Sequence, residues 1–186
     1  FFCIITQINL INNIMSGILD QLNSDLGKTI VNGVAGQTNQ PTNKTQEVLT
    51  MALPVIMEAM RRNASNPQGA EKLLGAINNK HDGSILDNLG GLFSGGVDAN
   101  IMEDGGKILG HVLGNKQQSV ETAISQKSGL DAGSIAQILK VAAPILMGML
   151  GNQAKEKQVN SPSGLEDLLG GLVKGNSPKQ ERSFLE

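Results

Sequence analysis

Tryptophan and tyrosine are absent from this chain, and three of its four phenylalanines, Phe1, Phe2 and Phe184, stand beside an end. Phe93 is the only one in the interior. A core must therefore be assembled from Leu, Ile, Val, Ala and Met, and single-stranded nucleic acid finds no aromatic platform for its bases. A block of like charge is missing too. Lys+Arg 15 stand against Asp+Glu 17, a net charge of -2, and Arg61-Arg62 is the only adjacent arginine pair. Without a basic stripe to neutralise phosphates, a nucleic-acid partner is disfavoured. The single cysteine, Cys3, has no partner for an internal disulfide, so nothing asks for an oxidising compartment. The longest charge-free apolar stretch, Val141 to Ala154, is shorter than the roughly 20 residues a bilayer helix needs. No transmembrane segment is expected, and the location is read as cytoplasmic with an extracellular one left open. Strand-like alternation of apolar and polar residues is also missing, which leaves an all-α class.

What is present is a pair of similar stretches. Val48 to Met60, VLTMALPVIMEAM, is echoed by Ile135 to Leu150, IAQILKVAAPILMGML. Ala52-Leu53-Pro54-Val55-Ile56-Met57 lies over Ala142-Ala143-Pro144-Ile145-Leu146-Met147, 90 positions on. Downstream, Asn66-Pro67 through Gly75 lies over Ser161-Pro162 through Gly170, 95 positions on, a difference that a five-residue loop insertion explains. Asp25-Leu26-Gly27-Lys28 likewise resembles Asp104-Gly105-Gly106-Lys107. Repeated supersecondary units are the reading, and two copies are too few for a solenoid. The expected architecture is one multihelical domain with an internal duplication, residues 15–175, with repeats of about 17–94 and 98–175 around central proline helices. The halves are expected to be related by a pseudo-two-fold. Residues 176–186 read as a disordered tail. The uncharged residues 1–14, FFCIITQINLINNI, read as a non-native or disordered extension with Met15 as the natural start. A secretory or lipoprotein signal is the alternative, although neither a basic n-region nor a small-residue cleavage site is seen.

Local signals place the helices. Ser16 opens a first helix to about Val34, with Ile18, Leu22, Leu26 and Ile30 four apart on one face. Gly36 to Asn43 reads as a polar loop. Asn66-Pro67 starts a helix, and His81-Asp82-Gly83 is a turn before a short helix capped by Ser84 and running to Leu92. The seam between the repeats falls at Gly95-Gly96. Asp98 caps a helix that stops at Gly114, Ser119 opens one that closes at Gly129, Asp131 caps the second proline helix, and Ser161-Pro162 starts the last. Both proline segments are apolar on nearly every face, which predicts two helices buried in the centre.

The residues ILGHVLGNKQ, then SVETAISQKSGLDAGSIAQILKVAAPILMGMLG, then GLEDLLGGL, resemble the YidB-like family of bacterial domains. The resemblance covers most of Gly17 to Gly175, is most specific from Gly106 to Gly151, and is looser in the first half. It implies a multihelical fold with an internal duplication. The family's function is uncharacterised, so no catalytic residue carries over.

Candidate sites are few. A mid-helix proline costs roughly 3 kcal/mol because it removes a hydrogen bond and crowds a carbonyl. Pro54 strands the carbonyl of Thr50 and Pro144 that of Lys140; a structural kink is the first reading, a hinge or a ligand-holding carbonyl the second. Gly106, Gly110 and Gly114 share a helix face at a spacing that lets backbones meet, inside the fold, at a self-association face or at a membrane contact. Met51, Met57 and Met60, with Met147 and Met149, predict core filling or, if a proline helix is partly exposed, an adaptable groove. His81 reads as a solvated turn residue and His111 as helix surface or core edge; neither has metal-ligand spacing. Glu103-Asp104 and Glu166-Asp167 read as solvated carboxylates near helix starts. No nucleophile motif or phosphate loop is found, because Gly27-Lys28-Thr29 lacks a preceding strand. The expectation is a non-enzymatic helical interaction or self-assembly protein without metal or cofactor, its partner a protein and possibly itself. The alternative is a binding module for an apolar ligand or lipid surface.

Overall fold

The computed structural model describes residues 23–175; the expectations for residues 1–14, for a helix start at Ser16 and for the tail 176–186 lie outside them. Among the described residues nine α-helices and one 3-10 turn make up the fold, and no strand occurs. The chain is all-α.

Most helix ends follow the sequence. Helix α1 (Asp25–Thr38) begins where the Ser24 hydroxyl accepts from the Gly27 amide at 3.2 Å, and ends at Asn39 in the left-handed region. The expected loop from Gly36 to Asn43 shrinks to Asn39–Pro41, a correction with a visible cause. The Asn39 amide, in the left-handed region, and the Gln40 amide both donate to the Ala35 carbonyl, so the helix closes only after Thr38. Gln37 meanwhile clamps the seam: its Nε2 donates to the Phe93 carbonyl and its Oε1 accepts from the Val97 amide, both at 2.9 Å. Helix α2 (Thr42–Ala64) carries Pro54. Helix α3 (Pro67–Lys80) starts as its cap predicts, the Asn66 side chain accepting from the Gln68 amide at 3.1 Å.

The single helix expected from Ser84 to Leu92 is instead two short ones, α4 (Ser84–Asp87) and α5 (Leu89–Ser94), broken at Asn88. Ser84 is not their cap; its amide donates to the Asp82 carboxylate at 3.1 Å, behind Gly83 at φ 96°. Helix α6 (Ala99–Leu113) is capped by Asp98 and stops at Gly114, φ 52°. A 3-10 turn, Gly114–Lys116, leads into α7 (Gln117–Ser128), which opens two residues before Ser119 and closes at Gly129. Asp131 caps α8 (Ala132–Glu156), accepting from the Ser134 amide at 2.9 Å, and α9 (Pro162–Gly175) follows Ser161.

Helix α8 is the axis of the fold. Helices α1, α2, α3, α4, α6 and α7 all pack on it, α6 most extensively, whereas α9 packs on α2 and α3. The run Val141 to Gly148 is buried at every position, and each fully buried Ile or Leu there contributes about 1.5–3 kcal/mol of hydrophobic stabilisation. By length and composition alone α8 could cross a membrane, but 67% of its most apolar window is buried among the other helices, as in the core helix of a packed domain. The carbonyl that Pro144 strands has a neighbour. A Cβ at Gly105 would overlap the Lys140 carbonyl oxygen, so α6 brings bare backbone against it. A Cα–H facing the oxygen replaces part of the lost hydrogen bond.

Candidate functional site

Helix α2 is half covered. Val48, Leu49, Ala52, Leu53, Ile56, Met57 and Met60 face the core, but Pro54 is half-buried and Val55 is 41% exposed. The expectation that both proline helices are buried on nearly every face is therefore corrected for α2. Its outer side is instead one wall of a groove of about 610 Å³. Pro54, Val55, Glu58, Ala59, Arg62 and Asn63 supply that wall, positions that recur every three to four residues on one helix face. Opposite stand Val112 and Leu113 at the end of α6, Lys116 in the 3-10 turn and Val120 on α7. Asn63 Nδ2 ties the walls, donating to the Val112 carbonyl at 3.1 Å and to the Ala59 carbonyl at 3.0 Å. From Pro54 to Asn63 the trough runs about 14 Å at the helical rise of 1.5 Å per residue.

Its floor is apolar and its rim carries excess positive charge. The Glu58 carboxylate takes two bonds from Arg61, at 2.8 and 2.9 Å, and one from Arg62 at 3.1 Å. Hydrogen bonds from the Arg61 and Arg62 guanidiniums hold its pKa down at about 2. One carboxylate is thus shared between two cations, and across the groove Lys116 has no ion pair among the described residues.

A second cleft, about 410 Å³, lies beside the other proline, Pro144. His81 lines it and is only 7% exposed, which overturns its reading as a solvated turn residue. The His81 carbonyl lies against Gly151 of α8, where an added Cβ would overlap it. The Nε2 atom is 3.4 Å from Asp104 Oδ2 on α6. Burial lowers the His81 pKa; the Asp104 carboxylate raises it and Lys80 lowers it further, and burial wins. Nearby, Lys107 pairs with Glu103 at 2.7 Å. The cleft has no serine or cysteine among its lining residues, and among the described residues no group of three or more His, Cys, Asp or Glu could hold a metal.

The other sequence candidates are scattered. Met57, Met60 and Met147 are buried in the core, and Met51 and Met149 are half-buried against it. They fill the interior, and the groove that exists beside Pro54 is lined by none of them. Gly110 and Gly114 are exposed, with nothing near the point a Cβ would take, and Gly106 has only the Lys140 side chain at 3.7 Å. The close helix approach is made one residue earlier, by Gly105. The groove and buried His81 were missed because both depend on which neighbour covers a residue. One available signal was the Glu58-x-x-Arg61-Arg62 pattern, which marks a wet face on α2.

The fold and its groove define a helical domain built round a buried proline helix, with an open apolar trough on its flank. Residues 20–153 match the family described as "Bacterial protein of unknown function (DUF937)", and the chain belongs to that family, of which YidB is a member. No curated protein and no solved structure matches the chain.

Proposed function

We propose that this bacterial domain is a non-enzymatic interaction module, and that the groove beside Pro54 is where it takes an apolar segment of a protein partner, a further copy of the chain included. The observation that carries the reading is Val55, 41% exposed in the middle of a long helix and seated at the edge of a 610 Å³ trough. Large apolar side chains left exposed at a concave surface mark contact sites. A trough open along its length suits a helix or extended peptide laid into it, whereas a small-molecule site encloses most of its ligand. That favours a protein segment over an apolar ligand or lipid surface. No nucleic acid, metal or cofactor enters this reading, and the cytoplasm is the compartment it assumes. The matching capped helices α3 and α9, each following a proline helix, support an origin by duplication of one unit.

The chain's lack of Trp allows a clean test. V120W places the only indole in the groove, and saturating anilinonaphthalene sulfonate should be excited through it. Adding V55E should remove that energy transfer while the helical circular dichroism is unchanged. A signal that survives V55E would end the proposal.

A further inference from the structure

The walls and the rim of the groove beside Pro54 differ in chemistry, and each narrows what the trough can take. The walls are helical: α2 on one side, and on the other the end of α6, the 3-10 turn and α7. Amides and carbonyls inside a helix are already bonded to one another. Asn63 Nδ2 takes the Val112 carbonyl where α6 ends, and the carbonyl that Pro54 leaves open belongs to Thr50, which does not line the trough. An extended segment laid here would find no edge to pair with, and its own amides would lose water without a partner. A helix brings its backbone bonds with it. The trough of about 14 Å accepts about nine helical residues, which set three or four side chains on one face. Pro54, Val55, Ala59 and Val120 offer those side chains an apolar bed.

The rim decides which charges stand beside those side chains. Of the lining residues Glu58 alone is acidic, against Arg62 and Lys116. Arg61, which is not one of them, already gives Glu58 two hydrogen bonds. The Arg62 charge is therefore left in excess, and Lys116, exposed on the other wall, has no ion pair among the described residues. Both cations stand at one end of the trough. Arg62 adjoins Asn63, whose side chain holds the Val112 carbonyl, and Lys116 is in the turn just past Leu113. This local excess runs against the net charge of -2 on the whole chain. We infer that the groove takes an amphipathic helix of another protein whose aliphatic stripe is bordered by carboxylates, its acidic end lying between Arg62 and Lys116. The inference rests on reading that groove as a docking face, and names the chemistry of what docks there. A basic helix, which would set its own cations against Arg62 and Lys116, is refused.

The test uses the full chain and three stapled, fluorescein-labelled dodecapeptides with leucine every three to four residues. Their remaining positions are filled with glutamate, glutamine or lysine. Anisotropy at low salt should show the glutamate peptide binding several-fold more tightly than the glutamine peptide, and the lysine peptide most weakly. Raising the salt should close the gap between the first two, because Arg62 and Lys116 are exposed and therefore screened. R62E combined with K116E should invert the order with the helical circular dichroism unchanged, since neither side chain is buried. V55E should abolish binding of the glutamine peptide, whose side chains carry no charge for the new carboxylate to repel. Affinities that ignore the sign of the peptide's charge, or an order that survives R62E with K116E, would overturn the inference. If V55E still removes the glutamine peptide in that case, the docking groove stands and its acidic preference falls. Binding of none of the peptides also overturns the inference, and a dimer of the chain that V55E dissolves would then make a second copy the occupant. If the glutamine peptide stays bound in V55E, both readings fall.

Discussion

Aligned on their prolines, α2 and α8 carry nearly the same apolar sequence and yet occupy opposite environments. Val55 corresponds to Ile145, and the first is 41% exposed while the second is 1% exposed. The cause lies a turn further on. Where α2 has Glu58 and Arg61, α8 has Gly148 and Gly151. The two glycines let Ile85 and the His81 carbonyl come down onto α8, and the charged pair on α2 holds that face in water instead. Similar apolar content does not decide burial. The residues beside it, which admit or refuse a neighbour, do.

The most direct way to break the comparison is to truncate the matched pair. Ile145→Ala removes three buried carbons from a site that cannot collapse easily and should cost about 2–5 kcal/mol. Val55→Ala, in the groove wall, should lie within about 0.5 kcal/mol of the parent. Urea unfolding followed by circular dichroism measures both. Equal losses would show that α2 is covered as fully as α8.

Acid should separate the two helices by pH. At the α8 end, burial makes the native state resist protonation of His81. Above the ordinary value of 6.5 both states are neutral there and the fold has its full stability. As pH falls below 6.5 the unfolded chain takes up a proton that the native chain refuses, so stability declines until the lowered native pKa is passed. At the α2 end the sign is the usual carboxylate one. Glu58 contributes stability above its ordinary 4.5, which is lost as pH falls toward about 2, and solvent screening makes that contribution small. Melting temperatures from pH 8 to 5 should therefore fall for the parent and stay flat for His81→Gln, while Glu58→Gln should follow the parent over that range. A flat parent profile would show that His81 is not the sensor.

Much of this was legible in advance, for a physical reason. Caps are local chemistry, so Asn66, Asp98, Asp131 and Ser161-Pro162 announce their helices from the sequence, as do the stops at Gly114 and Gly129. The all-α class follows from periodicity. What failed depended on distant partners. Gly36 and Gln37 look like loop residues until Phe93 and Val97 are seen bonded to Gln37. His81 looks wet until α6 and α8 close over it. The glycine ladder pointed to Gly106 and its face, whereas the crossing is made through Gly105, because helix spacing gives a face and not the neighbour's register.

The smallest expected effect sharpens the comparison at its N-terminal end. Thr45 on α2 matches Ile135 on α8, and both are 0% exposed. Ile135 is apolar and satisfied by packing. The Thr45 hydroxyl is buried with no hydrogen-bond partner among the described residues, and a buried hydroxyl left unpaired costs about 1–3 kcal/mol relative to a paired one. Its cavity is already shaped for a β-branched side chain, so Thr45→Val exchanges the hydroxyl for a methyl of similar size. Stability should rise by about 0.5–1 kcal/mol, because the desolvation cost is removed and apolar contact replaces it. The gain should appear as a higher urea midpoint with an unchanged slope. A destabilised Thr45→Val would mean that the hydroxyl has a partner in solution, and that this end of α2 differs from α8 by a polar contact as well as by its exposed flank.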